Sequence, residues 1–167
     1  SSGKNEFAAI NAVVIAGHIA TLPSQNLLVE RLKDERAAVR LAAADGLALT
    51  FSQLAQDGPK AITGERDVAP AIGALAGRVK DETDPLVLLA CVSALNAATK
   101  VPPTGDFPAL AGDAALTSAR AMGDRAIVDG TKVELSALQV SRTLLDMLIP
   151  GPQQPTLDTA TRIMFAR

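Results

Sequence analysis

Apolar residues recur along this chain at steps of three and four almost from end to end. That is the spacing of one face of a helix, and nowhere do they alternate for more than a few residues as a half-buried strand requires. The pattern predicts an all-α fold. Phe7, Ile10, Val13, Val14 and Gly17 mark a first helix that ends at Thr21-Leu22-Pro23, because Pro lacks an N–H and disfavours helix in the residue before it. The run Phe7 to Ala20 reads as a buried core helix. At about 14 residues, broken by Asn11, Gly17 and His18, it falls short of the roughly 20 that a membrane span needs.

Ser24 is expected to cap a short second helix, Gln25 to Leu32, and a polar stretch Lys33-Asp34-Glu35-Arg36 leads into a third, Ala37 to Leu54. In the third, Val39, Ala42, Ala43, Gly46, Leu47 and Thr50 form one narrow face of small residues. A loop is expected from Gln56 to Gly64, around Asp57-Gly58-Pro59. Asp67 should cap a fourth helix through Val79, with Pro70 in its first turn. Asp84-Pro85 is an N-cap followed by Pro at the first helical position. The helix it opens carries Val87, Ala90, Cys91, Ala94, Leu95 and Ala98 at the offsets already seen in the third.

Beyond an irregular segment, Lys100 to Phe107, a helix is expected from Pro108 to Met122, with a break at Gly112-Asp113 and Gly123 as its C-terminal stop. Asp129-Gly130 marks a turn. Val133, Ala137, Val140, Leu144 and Leu148 predict a further helix that Pro150-Gly151-Pro152 ends, and a last one spans Thr156 to Arg167. That last helix carries no cap, as in a piece of a longer repeat protein or a segment handed to a partner.

Two stretches superpose at a shift of about 48 residues. Leu32-Lys33-Asp34-Glu35 matches Val79-Lys80-Asp81-Glu82; Val39 to Ala43 and Leu47 match Val87 to Cys91 and Leu95 after one inserted residue. Each unit is helix, acidic turn, helix. On these residues the chain resembles the HEAT-repeat family, whose inner-turn pattern of Asp, a short gap, then Val-Arg and two small residues is nearly written out as Asp34 to Ala43. The second copy departs from it: Leu88 stands where the family's Arg is expected, which weakens the turn-bridging contact there. The resemblance implies a single domain over 1–167, an α-solenoid of three to four stacked hairpins wound as a right-handed superhelix. The clearest repeats are 26–54 and 67–99, with a looser copy over 108–149 and the terminal helix 156–167. An irregular Ala-rich bundle is the competing architecture.

Composition agrees with close stacking. Of 167 residues 31 are Ala, there is no Trp or Tyr and only four Phe, so small side chains must fill whatever core the 48% hydrophobic content builds. Sixteen Lys and Arg against 18 Asp and Glu leave a net charge of −2, the wrong sign for a groove that neutralises phosphates. A single cysteine, Cys91, excludes an internal disulfide and a Cys-based zinc site. On the small-residue face of its helix it reads as a packing residue. The compartment stays open, with a soluble, cytoplasmic location ahead of a secreted or periplasmic one.

Candidate chemistry is sparse. His18 is the only histidine, so any catalytic or metal constellation with imidazole passes through it, and an enzyme reading needs it to face a pocket beside an Asp or Glu. Asp81-Glu82-Thr83-Asp84 lacks the alternating ligands and glycine of a calcium loop and reads as caps and solvated turn. No catalytic residue, cofactor or metal site is expected. Two enzyme types built on HEAT-like repeats, DNA glycosylases and bilin lyases, stand as a third reading behind two others.

The first is a non-catalytic interaction or scaffold module that binds a protein partner through the concave helix face. There the repeat register places Asp45 with Ser93 and Ala48 with Asn96, and the looser copy adds Gln139 and Arg142; Arg40 and the loop Lys100 to Phe107 complete the expected surface. The second is an assembly subunit that self-associates or docks onto a larger complex, since Val13, Val14, Ile15 and Ile19 spread around the first helix leave it poorly capped.

Overall fold

A computed structural model describes residues 2–57, 65–101, 107–128, 132–133 and 142. Six helices account for nearly all of them: α1 (Ser2–Ile19), α2 (Leu22–Arg31), α3 (Ala37–Asp57), α4 (Glu65–Asp81), α5 (Pro85–Thr99) and α6 (Phe107–Ala126). The one other regular element is a two-residue antiparallel ladder, β1 (Ile127–Val128) with β2 (Lys132–Val133), in which Ile127 pairs with Val133. The all-helical class expected from the periodicity is what the described residues adopt.

Several boundaries move, each for a local reason. Helix α2 starts at Leu22, because Thr21 and not Ser24 is its cap. The Thr21 N–H donates to the Ser24 hydroxyl at 2.8 Å, and the Thr21 side chain accepts from the Ser24 N–H at 3.5 Å, a reciprocal capping box. Pro23 then falls in the first turn, where a missing N–H costs no helical bond. The chain reaches this cap through Ala20, buried and left-handed at φ 49°, a conformation that a non-glycine residue adopts at some cost.

Helix α4 opens at Glu65, which puts Asp67 inside it and Pro70 beyond its first turn. Helix α6 shows no break at Gly112-Asp113 and runs past Gly123 to Ala126, held there by tertiary contact: Arg125 in its last turn donates to the Glu82 carbonyl oxygen. Val133 lies in β2, paired with the β-branched Ile127, and so cannot begin the helix expected from it; the expected Asp129-Gly130 turn lies outside the described residues. The remainder of that expected helix, apart from Arg142, lies outside the described residues, as do the terminal segment 156–167, residues 58–64 of the expected loop and 102–106 of the irregular segment.

Helix α3 is the centre of the packing, with α1 against one side and α5 against the other; α2 packs on α3 and α4, and α6 on α4 and α5. The two copies found in the sequence carry equivalent burdens. Val39, Ala43, Leu47 and Thr50 in α3 and Val87, Cys91, Leu95 and Ala98 in α5 are all fully buried, or within 1% of it. A single apolar cluster runs from Val13 in α1 to Met122 in α6, with Phe51 the bulkiest fully buried side chain.

Small residues permit the closest helix approach. A Cβ built on Gly17 of α1 would stand 2.7 Å from the Gly46 Cα of α3, and one on Gly46 would stand 2.8 Å from Leu28 Cδ2 of α2. No side chain fits at that crossing. Helix α1 itself departs from the expectation of a buried helix: Val13, Ala16 and Gly17 face inward, but Phe7, Ile15 and Ile19 are 70%, 59% and 55% exposed.

Candidate partner-binding surface

Of the residues singled out in the sequence, Arg40 has the most definite place. Its Nε and Nη2 donate to the two carboxylate oxygens of Glu82, at 2.8 and 3.0 Å, while Nη1 donates to the carbonyl oxygens of Asp34 and Glu35, at 2.9 and 2.8 Å. The guanidinium therefore closes its own turn and ties it to the next. Glu82, read from sequence as part of a solvated turn, is completely buried. Its Oε1 also accepts the N–H groups of Thr83 and Asp84, both at 2.9 Å, and Arg78 Nε stands 3.1 Å from Oε2. Burial alone would push the Glu82 carboxyl up; the hydrogen bonds from Arg40, Asp84 and Thr83 and the charge of Arg78 outweigh it and hold the group below its usual 4.5.

Asp84 does cap α5, accepting from the N–H groups of Leu86 and Val87. Asp34 sits beside Arg36, whose side chain donates two bonds of 2.8 Å, and its carboxyl is held at about 2 by them.

The second feature is a groove of about 400 Å³ between α1 and α3. Ile10, Val14 and His18 line it from α1; Ala38, Leu41, Ala42, Asp45, Gly46 and Leu49 line it from α3. These positions follow from helical spacing: 10, 14 and 18 are an i, i+4 row, and 38, 41, 45 and 49 flank the buried stripe of 39, 43 and 47. The walls are apolar apart from Asp45 and His18. Desolvation raises the Asp45 carboxyl above its usual 3.8, and no hydrogen bond or ion pair engages it among the described residues.

His18 and Asp45 thus share one groove, the arrangement that an enzyme reading requires. No hydrogen bond joins them among the described residues, however, and the lining supplies no hydroxyl, thiol or amine to act beside them. Cys91 is remote from such a role, since burial pushes its thiol up to about 12. No cluster of three His, Cys, Asp or Glu that could hold a metal occurs among the described residues.

Ser93 occupies in α5 the exposed position that Asp45 occupies in α3, and Leu86, 62% exposed, that of Ala38. Asn96 is half-buried, like its counterpart Ala48, and its Oδ1 is buried without a hydrogen-bond partner among the described residues. Arg142 is exposed in a helical conformation, and Gln139 lies outside the described residues. The fold therefore brings Asp45 together with His18, sets Ser93 at the equivalent place one helix on, and commits Arg40 to the turns.

Two features escaped the sequence. The apolar groove walls were indistinguishable there from core, although the i, i+4 row Ile10, Val14, His18 lies off the buried stripe. The Glu82 cluster had one faint signal: a turn whose own following helix lacks the Arg, with Arg40 free to serve both. Among the described residues no helix is long and apolar enough to cross a membrane. The chain matches no family model, no curated protein and no solved structure.

Proposed function

We propose that this chain is a non-catalytic interaction module, a HEAT-like α-solenoid in which α2–α3 and α4–α5 are successive hairpins, and that it binds a protein partner through the exposed face shared by α1, α3 and α5. The observation that carries this reading is the groove between α1 and α3: about 400 Å³, apolar, with one carboxylate on its wall that has no partner among the described residues. Helix packing supports the solenoid. Each of α1, α2, α3 and α4 touches the helix two places on, as stacked hairpins require.

A groove of this kind suits an amphipathic helix. From Ala38 to Leu49 it runs roughly 17 Å, about three helical turns, and apolar anchors at i, i+3 or i+4 and i+7 would fill it. Asp45 selects a Lys or Arg on that helix, because a cation supplies the charge that its partly desolvated carboxylate lacks. The test replaces Asp45, Ser93 and Asn96 together by Ala and captures partners from the native source. Loss of a protein that the unaltered chain retains, with an unchanged thermal melt, is expected; undiminished capture by a folded variant would sink the groove reading. Proteins that assemble larger complexes through such modules give the same surface a scaffold role.

A further inference from the structure

We infer that His18 makes the groove between α1 and α3 a proton-regulated site: on mild acidification its imidazole gains a positive charge, competes for Asp45 and releases a cationic helix held there. The inference rests on the groove's being a partner site and adds its regulation. Gly17 and Gly46 mark a close approach of α1 to α3, a Cβ on Gly46 standing 3.4 Å from the Gly17 Cα. Their chain neighbours His18 and Asp45 therefore lie at one level of the groove, and both line it. Both are exposed, and no hydrogen bond joins them among the described residues. A neutral imidazole thus leaves the carboxylate open to a partner's Lys or Arg.

Histidine is the side chain whose ordinary change of charge falls between about pH 5 and 8. What surrounds His18 decides where such a charge is felt. Helix α3 brings Asp45 to the lining and no other charged residue, since its Arg40 is committed to Glu82. Helix α2 also packs on α1, but its first turn, which follows closely on His18, has no charged residue, and Glu30 and Arg31 sit at its other end. Glu6 of α1 lies roughly 18 Å back along the helix. Helix α5, on the other side of α3, has no charged side chain at all. Asp45 is therefore the charged group that faces His18 among the described residues. The rest of the lining is apolar and displaces part of the water that would screen the two from each other.

The probe is a designed amphipathic helix with a stripe of Leu anchors and one Lys beside them, labelled for fluorescence anisotropy and titrated with the whole chain. A twin peptide carries norleucine in place of that Lys. Between about pH 7.5 and 5.5 the affinity for the Lys peptide is expected to fall about fivefold, the worth of one solvent-facing ion pair, while the twin changes less than about twofold. His18→Gln should abolish the fall. His18→Lys, whose charge is fixed, should hold the Lys peptide weakly at both values. Equal affinity for the Lys peptide at the two pH values would overturn the inference and leave the groove reading standing. So would a fall that persists in His18→Gln, because it assigns the titration to Asp45 itself. If neither peptide binds at the higher pH, the groove reading fails and its regulation fails with it.

Discussion

Asp45 in α3 and Glu82 in the turn between α4 and α5 are both carboxylates, and their surroundings are opposite. Glu82 is wholly buried, yet Arg40, Arg78 and two backbone N–H groups surround its oxygens, and it is held ionised. Asp45 is more exposed, yet apolar groove walls remove part of its water and no partner among the described residues replaces it, so its proton is held more tightly than usual. Burial depth does not decide the state of either group; the supply of partners does. A carboxylate whose needs are met inside the chain holds the fold together. One whose needs are unmet is available to something outside it.

The largest expected effect comes from breaking the first of these. Arg40→Ala should destabilise the chain by about 3 kcal/mol, because it leaves the buried Glu82 carboxylate short of two bonds, and denaturant unfolding measures it. Replacing Arg40 and Glu82 together by Met and Leu should recover much of that loss, since a buried pair is costly mainly when only one partner is removed. Next in size is Gly17→Val. Its side chain would meet the α3 backbone at Gly46, forcing α1 away at a cost of roughly 1–3 kcal/mol and widening the groove, as a thermal melt and loss of partner capture would show.

Acid should act through the partnered carboxylates. Glu82 and Asp34 have folded-state values below their unfolded ones, so the stability they give is complete above about pH 4.5. It is lost as the pH falls through the folded values, about 2 for Asp34. Denaturant midpoints measured down this range should therefore decline, and Glu82→Gln should flatten its upper part. Asp45 has the reverse sign: its raised value means that ionisation opposes folding slightly at neutral pH. The smallest effect follows, in that Asp45→Asn should leave stability unchanged or raise it by no more than about 0.5 kcal/mol, while partner capture falls.

How much of this was legible beforehand can be read from particular residues. Val39, Ala43 and Leu47, with Val87, Cys91 and Leu95, announce two equivalent buried faces because a helical stripe is a local pattern, and Asp84-Pro85 announces its helix start for the same reason. Thr21 was passed over for Ser24 because both residues of a capping box have capping chemistry, and only backbone conformation separates cap from third position. Gly123 and Val133 obeyed contacts made elsewhere in the chain. Glu82 was hardest: Arg40 on its carboxylate and Arg125 on its carbonyl lie 42 and 43 residues away, and its one nearby arginine, Arg78, stands at the i, i+4 spacing common on solvated helix faces. Asp45 was named from the repeat register alone, whereas the apolar walls that give it meaning come from α1 and α3 meeting at Gly17 and Gly46.

The contrast between the two carboxylates is tested most directly by following their side-chain carbonyl carbons by NMR as the pH is varied, in one sample. The account predicts that Glu82 titrates below 4.5 and Asp45 above 3.8. Glu82 titrating above 4.5, or Asp45 below 3.8, would contradict it, because the first would mean a carboxylate without its arginines and the second one that already has a cation.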